Sequence, residues 1–458
     1  MDQAVITYLS ENREKHLSEL KEFLAIPSIS SLPEHKDDVQ KAANWVASAL
    51  QEIGMDNVRV YSTKGHPFVY GEWIKAEGNP TVLIYAHYDV QPVDPLHLWD
   101  SPPFEAEIRD EKLYARGASD DKGQAFMHFK ALQAILETTG TLPINVKFLI
   151  EGEEEIGSPI LPLFVEENQE LLSSDVIVIS DTSMMERGKP TIVYGLRGLC
   201  GIQIDVKGPK GDLHSGLYGG TIQNPIHALV EIVNSFHNEK GQITVDGFYN
   251  KVAELTPAEK AAFESLGITD QSFIEQLGVP EMFGEEGFTT LERTWVRPTL
   301  EVNGIFGGFQ GDGIKTVLPS EAHAKITCRL VPDQDPDEIV VLLQKHIQSH
   351  TPPGVTVNVS LFDKGAPFVT PFDHPAIQAA GRAYEKVYKV PTSFTRGGGS
   401  IPIVATFDQI LGTPVVLMGF GLPDENFHAP NEHFHLENFD KGMETICYYW
   451  YELEQALK

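Results

Sequence analysis

The chain has 458 residues, more than one hydrophobic core usually organises, so we expect two domains. Hydrophobic residues make up 41% and charged residues 22%, which is typical of a folded globular protein and not of a disordered one. The formal net charge of −30 disfavours nucleic acid and anionic membranes as partners, because an acidic surface repels phosphate groups.

The cysteines and the N-terminus indicate the compartment. Cys200, Cys328 and Cys447 lie far apart, without the close pairing of a zinc knuckle or a disulfide framework. The N-terminus lacks the apolar core of a secretory signal peptide, and no stretch approaches the 18 apolar residues of a membrane span. We therefore expect a cytoplasmic protein with buried thiols and no membrane segment.

The first part of the chain alternates between predicted helices and strands. Apolar spacing predicts helices at 10–25 and 37–53 and a third after the ASDDKG turn. The predicted strands are VRVYS at 58–62, FVYGEW at 68–73, VLIYAH at 82–87, NVKFLIEG and DVIVISD. The last two are almost continuously apolar, as buried parallel strands are.

The pattern changes near residue 197 and returns near residue 366. GLCGIQIDVKGP, AKITCRLVP and VTVNVSLF alternate like half-buried strands, and a helix begins at Asn224-Pro225, so we predict a small α+β domain with two helices. A helix at 376–388, a loop TRGGGSIP and a strand PVVLMGFG follow. We predict an α/β fold, in which residues 1–196 and 366–458 form one discontinuous catalytic domain and 197–365 an inserted lid. The catalytic domain would hold a mixed, mainly parallel sheet flanked by helices.

Five potential metal ligands follow apolar runs or turns of this pattern. They are His87, Asp120, Glu155, Asp181 and His428. In open α/β sheets such residues collect at one edge of the sheet. Two imidazoles and three carboxylates exceed the ligand set of one tetrahedral zinc, and they suit two divalent ions that share a carboxylate and an activated water. The pattern therefore favours a hydrolase.

Each residue taken alone also has a structural explanation. His87 could be an ordinary histidine at a strand end, the Asp120-Asp121 pair could cap a helix, and Glu153–Glu155 could be a solvated acidic loop. Three adjacent carboxylates after a buried strand repel one another unless a cation or protonation relieves them. The joint occurrence of all five candidates favours the metal site.

The motifs AHYDVQP, ASDDKG, EGEEEIGS, SDTS and NFHAPNE together resemble the dinuclear zinc peptidase family. That family includes aminoacylases, glutamate carboxypeptidases, succinyl-diaminopimelate desuccinylases and cytosolic carnosinase-type dipeptidases. The resemblance extends over essentially the whole chain, in order. DLHSGLYGG, KTVLP, CRLVPD and GGSIP are most similar to the dipeptidase branch.

The resemblance implies a role for each candidate ligand. His87 and Asp181 would bind one ion, Glu155 and His428 the other, and Asp120 would bridge both through a cis Asp120–Asp121 peptide. The family favours zinc, but an oxygen-rich ligand set also accepts manganese or cobalt. Asp89 would orient His87, and Glu154 would be the general base.

The resemblance also implies how substrate binds. Thr316, Arg329 and Ser400 would contact the substrate, and the backbone of Gly398 and Gly399 could hold its carboxylate beside Arg329. His214 would act on the active site of a partner subunit, which implies a homodimer formed through the lid. Without the family, Arg329 could equally be a strand arginine in a surface ion pair and 397–399 a flexible loop, whereas His214 alone favours a surface histidine beside a turn.

One position departs from the family pattern. Carnosinase-type members commonly have Glu where this chain has Gly397 in RGGGS. We predict a metal-dependent dipeptidase for small peptides with a free C-terminal carboxylate; the alternatives are an N-acyl-amino-acid amidohydrolase or a carboxypeptidase with the same site. A catalytically inactive scaffold is disfavoured because every predicted ligand and Glu154 are present. A phosphatase is disfavoured because no arginine cluster accompanies the site.

Overall fold

The computed structural model describes residues 2–399 and 401–458. The strands are β1 Asp56–Tyr61, β2 Phe68–Trp73, β3 Thr81–His87, β4 Glu107–Arg109, β5 Lys112–Tyr114, β6 Asn145–Glu151, β7 Val176–Ile179, β8 Thr191–Leu196, β9 Gly198–Lys207, β10 Leu213–His214, β11 Thr299–Gly307, β12 Val317–Leu318, β13 Glu321–Leu330, β14 Thr356–Gly365, β15 Phe368–Val369, β16 Ser393–Gly397, β17 Val415–Leu417 and β18 His433–His435.

The helices are α1 Gln3–Glu11, α2 Arg13–Leu24, α3 Lys36–Glu52, α4 Lys122–Thr139, α5 Leu161–Glu167, α6 Gln169–Leu172, α7 Ser215–Tyr218, α8 Pro225–Asn234, α9 Pro257–Ser265, α10 Asp270–Leu277, α11 Thr290–Trp295, α12 Pro336–Ser349, α13 Pro375–Tyr388, α14 Pro402–Leu411 and α15 Leu436–Leu457. None of the helices within the described residues has the length and apolar character needed to cross a membrane.

The chain forms two compact units. The first comprises Met1–Tyr194, Thr370–Thr395 and Pro402–Lys458, and the second comprises Gly195–Val369 and Arg396–Ile401. The second unit therefore also takes a short segment near residue 400 that the sequence pattern assigned to the catalytic domain. The contacts of this segment explain the difference, since Arg197 donates through Nε to the carbonyl of Gly398 at 3.0 Å.

The first unit is built on a mixed sheet. Its strands lie in the order β1-β2-β6-β3-β7-β17-β8. The four central strands β6, β3, β7 and β17 run parallel, and the flanking pairs are antiparallel. The expected mixed sheet flanked by helices is therefore confirmed, with parallel pairing at its centre.

Helices cover both faces of this sheet. Phe148 on β6 packs against Phe129 of α4 with ring centroids 5.5 Å apart, and Tyr85 on β3 packs against Phe407 of α14 at 5.4 Å. Phe148 pairs with Ile84, the residue before Tyr85, so the two aromatic contacts lie on opposite faces. The central strands are thus buried on both sides, which explains their continuous apolar runs.

The second unit is a smaller α+β structure. Its sheet has the order β11-β13-β9-β14, and all three pairings are antiparallel. Alternate residues of β9 and β13 pack into one apolar core with residues of α8 and α12. Helix α8 begins as predicted, with the Asn224 side chain accepting from the amide of Ile226. Half-buried strands with one open face are the structure that alternating apolar residues predict.

Three predictions about local structure differ in part from the structure. The helix predicted at 10–25 is α2, which begins at Arg13, and a separate helix α1 precedes it and ends where the side chain of Asn12 bonds back to the carbonyl of Tyr8. The inserted domain contains helices beyond the expected two, including the short helices α9, α10 and α11. These helices begin at the capping boxes of Thr256, Thr269 and Thr289, a signal that was present in the sequence. The expected loop TRGGGSIP is in part the strand β16.

Candidate metal centre

The parallel strands deliver the candidate ligands to one edge of the first unit. His87 is the last residue of β3, Asp181 lies just beyond β7, and Glu155 lies in a turn just beyond β6. Parallel strands end at the same edge, so these side chains meet although they lie far apart in the sequence. Asp120 ends the turn before α4, and its peptide bond to Asp121 is cis, as predicted.

The two carboxylate oxygens of Asp120 face two different imidazoles. His87 Nε2 lies 3.2 Å from Asp120 Oδ1, and His428 Nε2 lies 2.8 Å from Asp120 Oδ2. Asp181 Oδ2 is 3.8 Å from His87 Nε2, and Glu155 Oε2 is 3.1 Å from His428 Nε2. Two groups that could each hold a cation therefore share Asp120: His87–Asp120–Asp181 and Asp120–Glu155–His428. We call these five residues the dinuclear cluster.

The two histidines of the cluster differ in burial, and Asp89, which lies outside the cluster, holds His87. His87 is completely buried, and its Nδ1 lies 3.0 Å from the backbone carbonyl of Asp89 and 3.4 Å from the Asp89 carboxylate. Because a carbonyl oxygen can only accept, Nδ1 carries a proton, and Nε2 is the nitrogen that can ligate a cation in place of its own proton. The His428 side chain is 55% exposed, so it forms the open rim of the cluster.

Asp89 also fixes the turn that carries Glu154 and Glu155. Its two carboxylate oxygens accept from the backbone amides of Glu154 at 3.2 Å and Glu155 at 3.1 Å. Gln91 donates through Nε2 to Oε2 of Glu155 at 2.8 Å. The buried Asp89 thus connects the end of the His87 strand to the acidic turn. The sequence predicted only that Asp89 orients His87.

The charges of the cluster are unbalanced without a cation. Burial raises the pKa of Asp181 well above its ordinary value, and repulsion from Asp120 raises it further. Burial also opposes ionisation of Asp120, but His428 and His87, which donate to its two oxygens when they are protonated, outweigh burial and hold the pKa of Asp120 well below the usual range. Oδ1 of the neighbouring Asp121 is buried without a hydrogen-bond partner. This excess of buried carboxylates and its donor types fit two divalent cations.

Glu154 has a different environment from the ligands. Burial raises its pKa to about 7, and the negative charge of Glu155 adds to the effect while His87 opposes it. A carboxylate with a pKa near neutral can both accept and return a proton at physiological pH. Glu154 therefore has the protonation behaviour that a general base requires.

Two buried glutamates that sequence analysis did not assign support the ligand loops. Glu432 accepts through Oε1 from the backbone amides of Ser119 and Asp120, both at 3.1 Å, and through Oε2 from Arg116 at 2.7 Å. Glu425 accepts from the Ser119 hydroxyl at 2.5 Å. Glu432 ends the motif NFHAPNE, so the motif itself was a signal for this residue. Its contact with residues more than 300 positions earlier could not be predicted from the sequence.

The other predicted residues that the structure describes lie in the second unit. His214 on β10 pairs with Val317 on β12, and the neighbouring amide of Ser215 donates to the carbonyl of Thr316 at 3.1 Å, so His214 and Thr316 are adjacent. Arg329 is half-buried on β13, and Gly399 is exposed. Ser400 lies outside the described residues.

The His214 ring has a defined proton position. Its Nδ1 accepts from the backbone amide of Gly216 at 3.0 Å, so the proton resides on Nε2. The side chain is exposed, and Nε2–H therefore points away from its own turn as a donor. This arrangement suits a hydrogen bond to an external oxygen.

Comparison with known proteins gives relatives over almost the full length. The chain is 32% identical over 460 residues to the Cys-Gly metallodipeptidase dug1 of Schizosaccharomyces pombe, covering 97% of each chain. It is 30% identical to the human Beta-Ala-His dipeptidase, covering 99% of this chain and 93% of the relative. The solved structure of an M20 family metallo-carboxypeptidase from Sulfolobus solfataricus matches with a TM-score of 0.80 and 33% identity, covering 96% and 99% of the two chains.

The similarity to dipeptidases agrees with the branch that the motifs indicated. Residues 83–452 match peptidase family M20/M25/M40, a span that holds every residue of the dinuclear cluster. The chain therefore belongs to peptidase family M20/M25/M40.

Proposed function

We propose that this protein is a metal-dependent dipeptidase that hydrolyses small peptides with a free C-terminal carboxylate. The observation that carries the proposal is the position of Asp120, whose two oxygens face His87 and His428 separately. A carboxylate in that position can bridge two cations. The relatives with metallodipeptidase names support the substrate class.

The dinuclear cluster would hold one ion through His87 and Asp181, the other through Glu155 and His428, and both through Asp120. Bound there, two divalent cations would acidify a water molecule and polarise the peptide carbonyl. We propose zinc, which the family resemblance implies; manganese and cobalt are alternatives because the ligand set has more oxygens than nitrogens.

The protein's own groups would move the proton and hold the substrate. Glu154 would take the proton of the attacking water on its carboxylate and deliver it to the leaving amine nitrogen. His214 would donate from Nε2 to the carbonyl oxygen as negative charge develops there. Asp89 would keep His87 and the turn of Glu154 in place through the contacts described above.

Recognition of the substrate carboxylate would involve the second unit. Arg329 offers a planar fork of donors that matches a carboxylate, and Thr316, Gly399 and Ser400 are proposed as its neighbours in binding. We propose that this unit serves as the lid and as the contact between subunits of a homodimer, in which His214 of one subunit completes the site of the other. The proposed location is the cytoplasm.

A second candidate is hydrolysis of N-acyl amino acids or removal of a C-terminal residue from longer peptides. Two observations favour it. This chain has Gly397 at the position where carnosinase-type members commonly have Glu, and a metallo-carboxypeptidase is among the similar structures. A carboxylate at that position would help to select a free amine, so its absence leaves room for acylated substrates.

One substrate pair separates the candidates. Hydrolysis of Ala-Leu and of N-acetyl-Ala-Leu should be measured with the same metal-loaded protein. Cleavage of Ala-Leu alone supports the dipeptidase, with the amine recognised without Glu at position 397. Cleavage of the acetylated compound alone contradicts the dipeptidase and supports the second candidate.

A further inference from the structure

A second group of metal-ligating side chains lies outside the dinuclear cluster. Strand β18 pairs antiparallel with β5, so that His435 lies opposite Lys112 and His433 opposite Tyr114. His433 and His435 are two residues apart on a strand, which places both imidazoles on the same face. Asp424 adds a carboxylate from the loop that leads to His428. We call Asp424, His433 and His435 the β18 cluster; it shares no residue with the dinuclear cluster.

The ligating atoms of the β18 cluster converge on one point. One such atom from each of the three residues lies within 4.8 Å of the others. His435 Nε2 is 3.2 Å from Asp424 Oδ2. The ammonium group of Lys112 lies among them, 3.0 Å from His433 Nε2 and 3.4 Å from Asp424 Oδ2. A cationic group therefore already occupies the position toward which the donors point.

Contacts other than Lys112 orient the histidines. His433 Nδ1 lies 3.0 Å from the carbonyl of Asn431, so Nδ1 carries the proton and Nε2 presents its lone pair to the cluster. The His433 ring also packs against Tyr114 with centroids 4.8 Å apart. The two histidines are only 4% and 6% exposed, so the protein around them fixes the positions of both rings.

We propose that Asp424, His433 and His435 form an additional metal site that takes Zn²⁺ or a similar transition-metal ion by displacing the ammonium of Lys112. Two imidazole nitrogens and one carboxylate oxygen are a donor set that zinc accepts, with a further position left for water. Lys112 can leave because its side chain is flexible and 24% exposed, so the ammonium group can regain hydration. The Asp424 side chain is 60% exposed, which gives the ion a route of entry.

The position of the site gives it a structural consequence. Asp424 and His433 stand at the two ends of the loop that carries His428. Their sequence neighbours Glu425 and Glu432 hold the segment that leads to Asp120. An ion bound by the β18 cluster would join both ends of the loop, so we expect it to stabilise the loop against unfolding.

The test measures zinc binding without reference to catalysis. In Asp120→Ala the residue shared by the two halves of the dinuclear cluster is lost, and zinc that binds this variant but not its Asp424→Asn or His435→Asn derivative reports the β18 cluster. Equilibrium dialysis against Zn²⁺, with metal and protein both quantified, should give one zinc per chain in Asp120→Ala. The additional change Asp424→Asn, at an exposed side chain, or His435→Asn should remove it. His97→Asn, an exposed histidine elsewhere in the same unit, is the matched control and should retain it.

Lys112→Met supplies an independent arm. Removing the competing ammonium should tighten zinc binding at the β18 cluster by about tenfold or more, because a like charge no longer has to be displaced. Copper(II) at the same site should show two nitrogen ligands by electron paramagnetic resonance, reduced to one in His435→Asn. Absence of zinc from Asp120→Ala, or its persistence in Asp120→Ala with Asp424→Asn and His435→Asn, would overturn the proposal. Loss of activity on dipeptides would not bear on it.

Discussion

The carboxylate of Glu432 accepts a hydrogen bond from the backbone amide of Asp120 at 3.1 Å, although 312 positions separate the two residues. The same carboxylate receives the amides of Gly117 and Ser119 and the guanidinium of Arg116, and it is fully buried. The segment that presents Asp120, the residue common to both halves of the dinuclear cluster, is therefore held by a residue of the His428 loop. This contact connects the two ligand loops of the site.

Glu432→Gln tests that connection. The side-chain nitrogen of glutamine donates and cannot accept. It would face one of the groups that now donate to Glu432, and that group would lose its hydrogen-bond partner. We expect metal affinity to fall by about 10- to 100-fold, the usual cost of losing an outer contact of a metal ligand. Glu437→Gln, which changes the exposed pair with Arg187, is the control. Competition of each variant with a chelating dye measures the affinity, and equal affinities of Glu432→Gln and wild type would contradict the connection.

Glu154→Gln separates proton transfer from metal binding. Glutamine cannot take up the proton, so hydrolysis should fall by about 100-fold or more. The metal content should remain that of wild type, because Glu154 is not among the proposed ligands. Glu166→Gln, at an exposed helix position, should retain activity. A loss of less than about tenfold in Glu154→Gln would remove it as the general base.

The cross-subunit role of His214 can be tested by mixing two inactive variants. His214→Ala should lower turnover sharply with unchanged metal content, and His350→Ala, an exposed histidine of the same unit, should not. Subunits with His214→Ala and subunits with Glu154→Gln, unfolded or dissociated and reassembled together, form hybrid dimers with one complete site.

Roughly a quarter of wild-type activity should return, because half of the dimers are hybrid and each has one active site of two. Activity that stays at the level of the separate variants, once hybrid dimers are demonstrated, would place His214 in its own subunit's site. Full activity of His214→Ala alone would exclude a catalytic role for this residue.

The buried position of His128 leads us to expect that the free energy of unfolding decreases in acid. Burial lowers its pKa to about 3, and Nε2 bonds to the Ser180 hydroxyl at 2.7 Å. The unfolded chain binds a proton at the ordinary histidine pKa near 6.5, whereas the folded chain does not until the pH is far lower. The stabilising effect is therefore complete above about pH 6.5 and is lost progressively as the pH falls toward 3.

His128→Gln removes this titration. The free energy of unfolding by urea, measured on metal-free protein at about pH 7 and about pH 5, should change less with pH in the variant than in wild type. His97→Gln, at an exposed side chain, should keep the wild-type slope. Identical slopes for His128→Gln and wild type would show that His128 is not buried in the neutral form.

The sequence was most informative where one segment carries both an apolar run and a ligand. Apolar runs precede His87, Glu155 and Asp181, and they predicted that these residues meet at one edge of a sheet. The parallel pairing of β6, β3 and β7 produces that edge. The family resemblance supplied the pairing of ligands, which composition and spacing alone left open.

Contacts between distant polar residues were not predictable in the same way. No sequence pattern around Glu432 or Lys112 indicates which residues their side chains contact. Each contacts residues that lie far away in the sequence and come near only through strand pairing. The helices α9 to α11 were missed since they are short and weakly apolar, although their capping threonines were present. Local sequence therefore predicted the strands that carry the site better than the polar contacts that support it.

Hydrolysis of Ala-Leu by metal-stripped protein, before and after zinc or manganese is returned, tests the central claim most directly. The account predicts no hydrolysis by the stripped protein and its recovery when metal is added to wild type, but no recovery in Asp120→Ala, which lacks the shared ligand. Hydrolysis that persists without metal, or metal-loaded wild type that cleaves neither Ala-Leu nor N-acetyl-Ala-Leu, would contradict it.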